Sequence, residues 1–308
     1  MNDALFDIGA FGHRSEAPLF HKRWINDINP LSGHNKRRLI CAPNQAMRDV
    51  HAKTIRWLRS LRVAMPSATA CRLGDSAYRN VLRHKKGTGR SFNRYFFLMD
   101  IDSAYPSVKI GRMVDVLVAL KPDLEERRFA LWVFLARHCF DDQTGGLVTG
   151  APASPDLFNL YCEVEIDRPM RVLCARYGLT YTRYLDDLTF SSASPIGKKK
   201  RRALSDIVLR AEFRVSHKKA RVYDLRKGPV VINGMGVQLH GKVFVPRRTL
   251  DHIRGLLHVA SNESGVSASV IHGKMSLLKA VTGRRGANRT EEKVFEAYER
   301  FRKSSRTS

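Results

Sequence analysis

Four aspartates stand where apolar residues would be expected to continue. In FFLMDIDSAYPSV, Asp100 and Asp102 end a run of aromatic and aliphatic residues; in YTRYLDDLTF, Asp186 and Asp187 sit between two β-rich runs. Carboxylates gathered away from water raise one another's pKa or cost several kcal/mol unless a cation compensates, so such clusters mark a metal site or an acid/base pair. Magnesium is the expected ion, since it takes hard oxygen ligands and accepts phosphate oxygens. Two such ions about 3.5–4 Å apart stabilise both the attacking and the leaving oxygen of an in-line phosphoryl displacement. Each signal alone has a plainer reading: Asp-Asp at a turn is ordinary turn chemistry, and Asp100 alone is a strand end or a helix N-cap.

The elements that must position these groups are legible in outline. Tyr95–Ile101 has the make-up of a buried strand, and Thr180–Tyr184 and Leu188–Ser192, separated by Leu-Asp-Asp, have hairpin spacing. Gln45–Leu61 carries apolar residues at helical spacing. Ser154-Pro155 has the form of an N-cap followed by proline at the first helical position, opening a helix that runs through Leu157, Leu160 and Val164 to Gly178. Pro246–Ala260 predicts a helix with Leu250, Ile253 and Leu257 on one face and Arg247, Arg254 and His258 on another, with Arg248 alongside. This is either a helix that tracks a duplex backbone or an ordinary basic amphipathic helix. Strands and helices mix without regular βαβ alternation, which makes the fold class α+β.

Charge narrows the partners. The 308 residues hold 54 Lys and Arg against 29 Asp and Glu, a net +25, with 43% hydrophobic content. A disordered polycation is excluded, and a polyanionic partner, nucleic acid or an anionic membrane face, is expected. Residues 195–308 carry 26 of the basic and 9 of the acidic residues, so the main grip lies there. Lys198–Arg202 (KKKRR) follows a Pro-Ile-Gly loop and is either a solvated loop or a phosphate contact. No apolar run reaches the roughly 18 residues of a membrane span, and the N-terminus has no secretory pattern. Five cysteines, without a CxxC pair, point to a reducing cytoplasm rather than to disulfides or zinc.

Taken in order, DIDSAYPSV (100–108), GAPASPDLFNL (150–160), YLDD (184–187) and FRVSHKKARV (213–222) resemble the palm motifs of reverse transcriptases. Upstream, KRRLICAP (36–43), with Arg48 and His51 beyond it, resembles the fingers pattern of that family. Asn80-Val-Leu-Arg-His84 and Ile232-Asn233-Gly234 narrow the likeness to the bacterial retron type, over residues 35–280. The chain departs from the usual pattern at Thr149, Ile232-Asn233, Val81 and His51, none of which is a metal ligand.

The resemblance implies a right-hand polymerase: an N-terminal segment and fingers in 1–99, a palm in 100–235 whose antiparallel sheet carries the YxDD hairpin, and a helical thumb with a basic tail in 236–308. It implies that Asp100 and Asp187 hold two Mg²⁺ ions, with Asp186 a further ligand and the Ile101 carbonyl completing one sphere. Arg38 would grip the β/γ-phosphates of a dNTP, Lys219 would neutralise or protonate the leaving group, and Tyr105 would leave no space for a 2′-hydroxyl. Gly150 and Pro152 would let the backbone approach the template and nucleotide, and Arg247, Arg248 and Arg254 would follow the duplex. Asn80 and His84, four apart and so on one helix face, would recognise the cognate RNA, although as residues alone they also suit a satisfied buried pair. The implied function is an RNA-directed DNA polymerase in antiphage defence, priming on and copying a dedicated non-coding RNA into an RNA–DNA product, with an effector or toxin protein as a further partner. Alternatives are another defence or intron-derived reverse transcriptase, template-independent synthesis included, or a catalytically silent RNA-binding scaffold.

Overall fold

Strand β5 (Tyr95–Asp102) separates two apolar cores, and the two-residue period of its side chains explains how. Phe97, Met99 and Ile101 enter the first core, whereas Phe96 and Leu98 pack into the second. The computed structural model describes residues 19–28, 35–87, 89–216, 220–262, 268–283 and 286–307. Among these, β5 is flanked on one side by β7 (Asp187–Ser192) and beyond it β6 (Thr180–Tyr184), and on the other by β8 (Arg214–Val215) and β9 (Arg221–Asp224). All pairings in this sheet are antiparallel.

The first core lies on one face of the sheet. Helix α1 (Gln45–Ser60) is capped by Asn44, whose side chain accepts from the Met47 amide at 2.9 Å, and it buries Met47, Trp57 and Leu58. Helices α4 (Ile110–Leu120) and α5 (Arg128–His138) follow α2 (Ala77–Leu82) and the short α3 (Ala104–Ser107). The helix expected to open at Ser154 does run to Tyr177, closed by Gly178 at φ +64°, but in three parts: α6 (Ser154–Cys162), a π-helical turn (Glu163–Asp167) and α7 (Arg168–Tyr177). Pro169, which lacks an amide hydrogen, follows the wide turn directly, a helix interruption of a recognised cause. Ser154 lies inside the helix rather than capping it, and its hydroxyl donates to the Val148 carbonyl at 2.7 Å.

The second core joins a three-stranded sheet, β10 (Val230–Ile232), β11 (Met235–Val237) and β12 (Val243–Phe244), to helices α9 (Arg247–Asn262), α10 (Ala268–Thr282) and α11 (Arg289–Thr307). It also takes in Val81 of α2 and Phe92, so it is built from both ends of the chain. A separate ribbon of β1 (Phe20–Ile28) and β2 (Asn35–Pro43) is held to the body by the Cys41 amide, which donates to the Thr149 carbonyl at 2.8 Å. Lys198–Arg202 opens helix α8 (Lys198–Arg210) instead of forming a loop, with the Lys200 ammonium 5.4 Å from the Tyr177 ring. All five cysteines are free thiols. Among the described residues no helix is long and apolar enough to cross a membrane.

Candidate active site

Asp100 and Asp187 are directly opposed in the β5–β7 register, so both project from the same face at one end of the sheet. Asp186 joins them because the hairpin is tighter than Leu-Asp-Asp suggested: Tyr184 pairs with Asp187, leaving Leu185 and Asp186 as the two turn residues. Leu185 has φ +55°, a left-handed conformation that costs a leucine free energy and needs outside support. The Ile101 amide provides some by donating to the Asp186 carbonyl at 3.0 Å.

Arg183 provides the rest. Its guanidinium donates to the Leu185 carbonyl at 3.2 Å, to Asn159 Oδ1 at 3.0 Å and, from Nη2, to Asp167 Oδ2 at 2.8 Å. Arg183 and Asp167 are both 0% exposed, and Tyr181 also donates to Asp167, at 2.6 Å. The π turn that ends at Asp167 therefore sets the anchor of the hairpin tip. Sequence reasoning missed this support. Its signal was an arginine and a tyrosine among buried strand residues, three and five positions before Asp186.

Asp100, Ile101, Asp102, Tyr105, Leu185 and Asp186 line a cleft of about 360 Å³ that is also lined by Trp24, Arg37 and Arg38 of the β1–β2 ribbon. Asp100 is 7% exposed, Asp186 is half-buried and Asp187 is exposed. The Tyr105 ring meets Phe158 edge-on at 5.2 Å, and burial, with smaller contributions from Cys71 and Asp186, pushes its phenol well above the usual range, so it stays neutral. Arg38 lines the same cleft as the carboxylates.

Several expectations need correction. Asp186 lines the cleft beside Asp100, and Asp187, opposite Asp100 in the strand register, accepts at Oδ2 from Asn233 Nδ2 at 3.3 Å. Asn80 and His84 are each 0% exposed and so do not touch nucleic acid in this structure. His84 instead spans Ser191 and Thr182, 2.8 Å from each hydroxyl, on the polar face of the sheet. Gly150 (φ +100°) makes a close approach, but to the ribbon: a Cβ there would lie 2.6 Å from Ile40 Cγ2. Neither Gly150 nor the exposed Pro152 lines the cleft. Lys219 lies outside the described residues. Arg247, Arg248 and Arg254 are exposed on α9, away from its buried Leu250, Ile253 and Leu257.

Residues 27–238 match the model of the family described as reverse transcriptase (RNA-dependent DNA polymerase). The chain belongs to the reverse transcriptase family. It is 28% identical over 247 residues to the retron Mx65 reverse transcriptase of Myxococcus xanthus, covering 76% of this chain and 56% of that protein. To the retron Ec86 reverse transcriptase of Escherichia coli it is 23% identical over 234 residues, covering 76% of this chain and 68% of that one. The chain thus spans little more than half of the Mx65 relative. The structure of apo telomerase from Candida tropicalis aligns with a TM-score of 0.51 at 11% identity, over 94% of this chain and 58% of that chain, a likeness of fold alone. The fold is that of a right-hand polymerase, and the retron-type resemblance of the motifs agrees with these relatives.

For a reverse transcriptase the cleft must suit a divalent cation. Its donors are hard: the carboxylates Asp100 and Asp186 beside the Ile101 backbone, with Asp102 and Asp141 also in the lining. Among the described residues no group of three or more His, Cys, Asp or Glu is placed to hold a metal ion. An open pair of carboxylates is nonetheless what Mg²⁺ takes, since it keeps several waters and fills its sphere with substrate phosphates.

Proposed function

We propose that this chain is an RNA-directed DNA polymerase that copies a dedicated non-coding RNA, using dNTPs, in bacterial antiphage defence in the cytoplasm. The observation that carries the reading is the convergence of Asp100, Asp186 and Tyr105 in one cleft with Arg38. The residue ranges 1–99, 100–235 and 236–308 then act as fingers, palm and thumb.

In this reading Asp100 and Asp186 hold the Mg²⁺ ions, with Asp187 adding charge from the facing strand position. Bound there, the ions supply activation of the primer hydroxyl and charge stabilisation of the departing pyrophosphate. Arg38 binds the β/γ-phosphates by charge-assisted hydrogen bonds, and the buried Arg183 keeps the carboxylate-bearing turn in place. Tyr105, supported by Phe158, closes the space under the sugar and so selects deoxynucleotides. Lys219 serves the leaving group. Exposed Arg247, Arg248 and Arg254 follow the duplex backbone.

Primer extension with labelled dNTPs and Mg²⁺ on an RNA template tests this, comparing the parent with Asp186→Ala plus Asp187→Ala. Incorporation by the parent alone is expected. Equal signals from both proteins would leave the cleft without a polymerase role and favour an RNA-binding scaffold. Sequencing the nucleic acid that copurifies identifies the RNA.

A further inference from the structure

We infer that Asn80 and Asn233 are positioning residues that fix the Asp187 carboxylate and make its placement depend on the second core. The inference rests on the polymerase reading only for the use to which that carboxylate is put. Asn233 Nδ2 donates to Asp187 Oδ2 at 3.3 Å, Asn80 Nδ2 donates to Asn233 Oδ1 at 2.5 Å, and Thr69 Oγ1 lies 3.0 Å from Asn80 Oδ1. The direction of every link follows from one end. A carboxylate only accepts, so Asn233 must present its NH₂ there and its oxygen to Asn80, which leaves the Asn80 oxygen to accept from the Thr69 hydroxyl, whose single proton it shares with the Arg183 carbonyl, also 3.0 Å away. Thr69 is in turn bound to the hairpin: its amide donates to the Arg183 carbonyl at 3.0 Å. The relay therefore closes a ring on both strands that carry the Leu185-Asp186 turn, at Arg183 of β6 and Asp187 of β7.

Asn-Gly suits a two-residue hairpin turn, so both the turn and the bonds across to the palm bear on Asn233. It joins β10 to β11 with Gly234 in a two-residue turn, both at positive φ (+48° and +81°), a conformation that glycine would adopt more easily. What asparagine adds is an amide long enough to reach across to the palm sheet. The same turn sits on α10, where a Cβ at Gly234 would lie 3.6 Å from Leu277 Cδ2. With Oδ2 held by Asn233, the Asp187 carboxylate is fixed opposite Asp100 in the register, and seating of the C-terminal helices is transmitted to it.

Mn²⁺ binding to the full chain, read directly by EPR without nucleotide, tests the relay. Asn233→Gly keeps the turn's backbone preference while removing the amide, and a melting curve verifies its fold. Loss of an outer partner of a metal-binding group typically weakens affinity by about tenfold or more, and a loss of about tenfold is expected here. Adding Asn233→Gly to Asp187→Asn should weaken binding no further than Asp187→Asn alone. An Mn²⁺ isotherm for Asn233→Gly that overlays the parent's, or a loss equally large in the Asp187→Asn background, overturns the relay. A parent that extends no primer rejects the polymerase reading instead, whatever the isotherms show.

Discussion

Asp100 on β5 stands directly across from Asp187 on β7, two acidic side chains paired in register at the open end of a buried sheet. Like charges so placed destabilise an antiparallel pair unless a cation lies between them. The hairpin turn adds a third carboxylate, Asp186, which lines the cleft together with Asp100.

The unequal placement of the two turn-region carboxylates predicts unequal losses. Asp186→Asn should reduce primer extension by about a thousandfold or more, and Asp187→Asn by at least tenfold less than that, because Asp186 lines the cleft whereas one oxygen of Asp187 is taken by Asn233. Steady-state kcat and KM for both variants at saturating Mg²⁺ check this. Equal losses would show that cleft lining does not rank the two groups.

Tyr105→Val should relax sugar selection. The ring, neutral and braced by Phe158, acts by occupying space, so its removal is expected to lower the dNTP over rNTP preference by about tenfold or more, with deoxynucleotide incorporation retained. The ratio of kcat/KM for the two nucleotide types measures it.

Arg183→Ala leaves Asp167 as an uncompensated charge in a fully buried position and removes the support of the Leu185 carbonyl. Breaking such a pair typically costs about 3–5 kcal/mol, which urea denaturation would detect. Because Asp167 also holds Tyr181, Asp167→Asn in the same background should recover part of the loss.

Two buried histidines set the pH response. Burial, and for His84 the neighbouring Arg83, lowers the pKa of His84 to about 3, and burial with His138 lowers that of His51 to about 4. The unfolded chain takes up these protons near the ordinary value of about 6.5, while the native chain does not, so unfolding gains protons below that pH. Stability is expected to be level above pH 6.5 and to fall as pH drops towards 5, by up to about 1.4 kcal/mol per pH unit for each histidine. Urea midpoints at pH 7.5, 6 and 5 check the slope, and His84→Gln should remove one histidine's share of it.

Local pattern was enough for much of this architecture. A continuous aromatic and aliphatic run marks β5, two β-rich runs at hairpin spacing mark the YLDD hairpin, helical spacing marks Gln45–Leu61 and the helix after Pro246, and the order of acidic, glycine-proline and basic motifs brings out the family resemblance. These signals are legible because burial periodicity and turn chemistry depend on neighbours in the chain.

The remainder depended on residues distant in sequence. Nothing local distinguishes Asp186 from Asp187; a two-residue turn held by Arg183 and Asp167 sends one into the cleft, and Asn233, from another sheet, takes the other. Likewise Asn80 and His84 share a polar character that suits either an RNA surface or a buried network, and only the packing of α2 on the sheet's Thr182 and Ser191 decided for burial. The amino-acid sequence by itself determined which groups could do the chemistry and which elements would carry them. Tertiary structure decided which oxygens meet, because hydrogen-bond direction and desolvation are set by partners that the chain brings together only on folding.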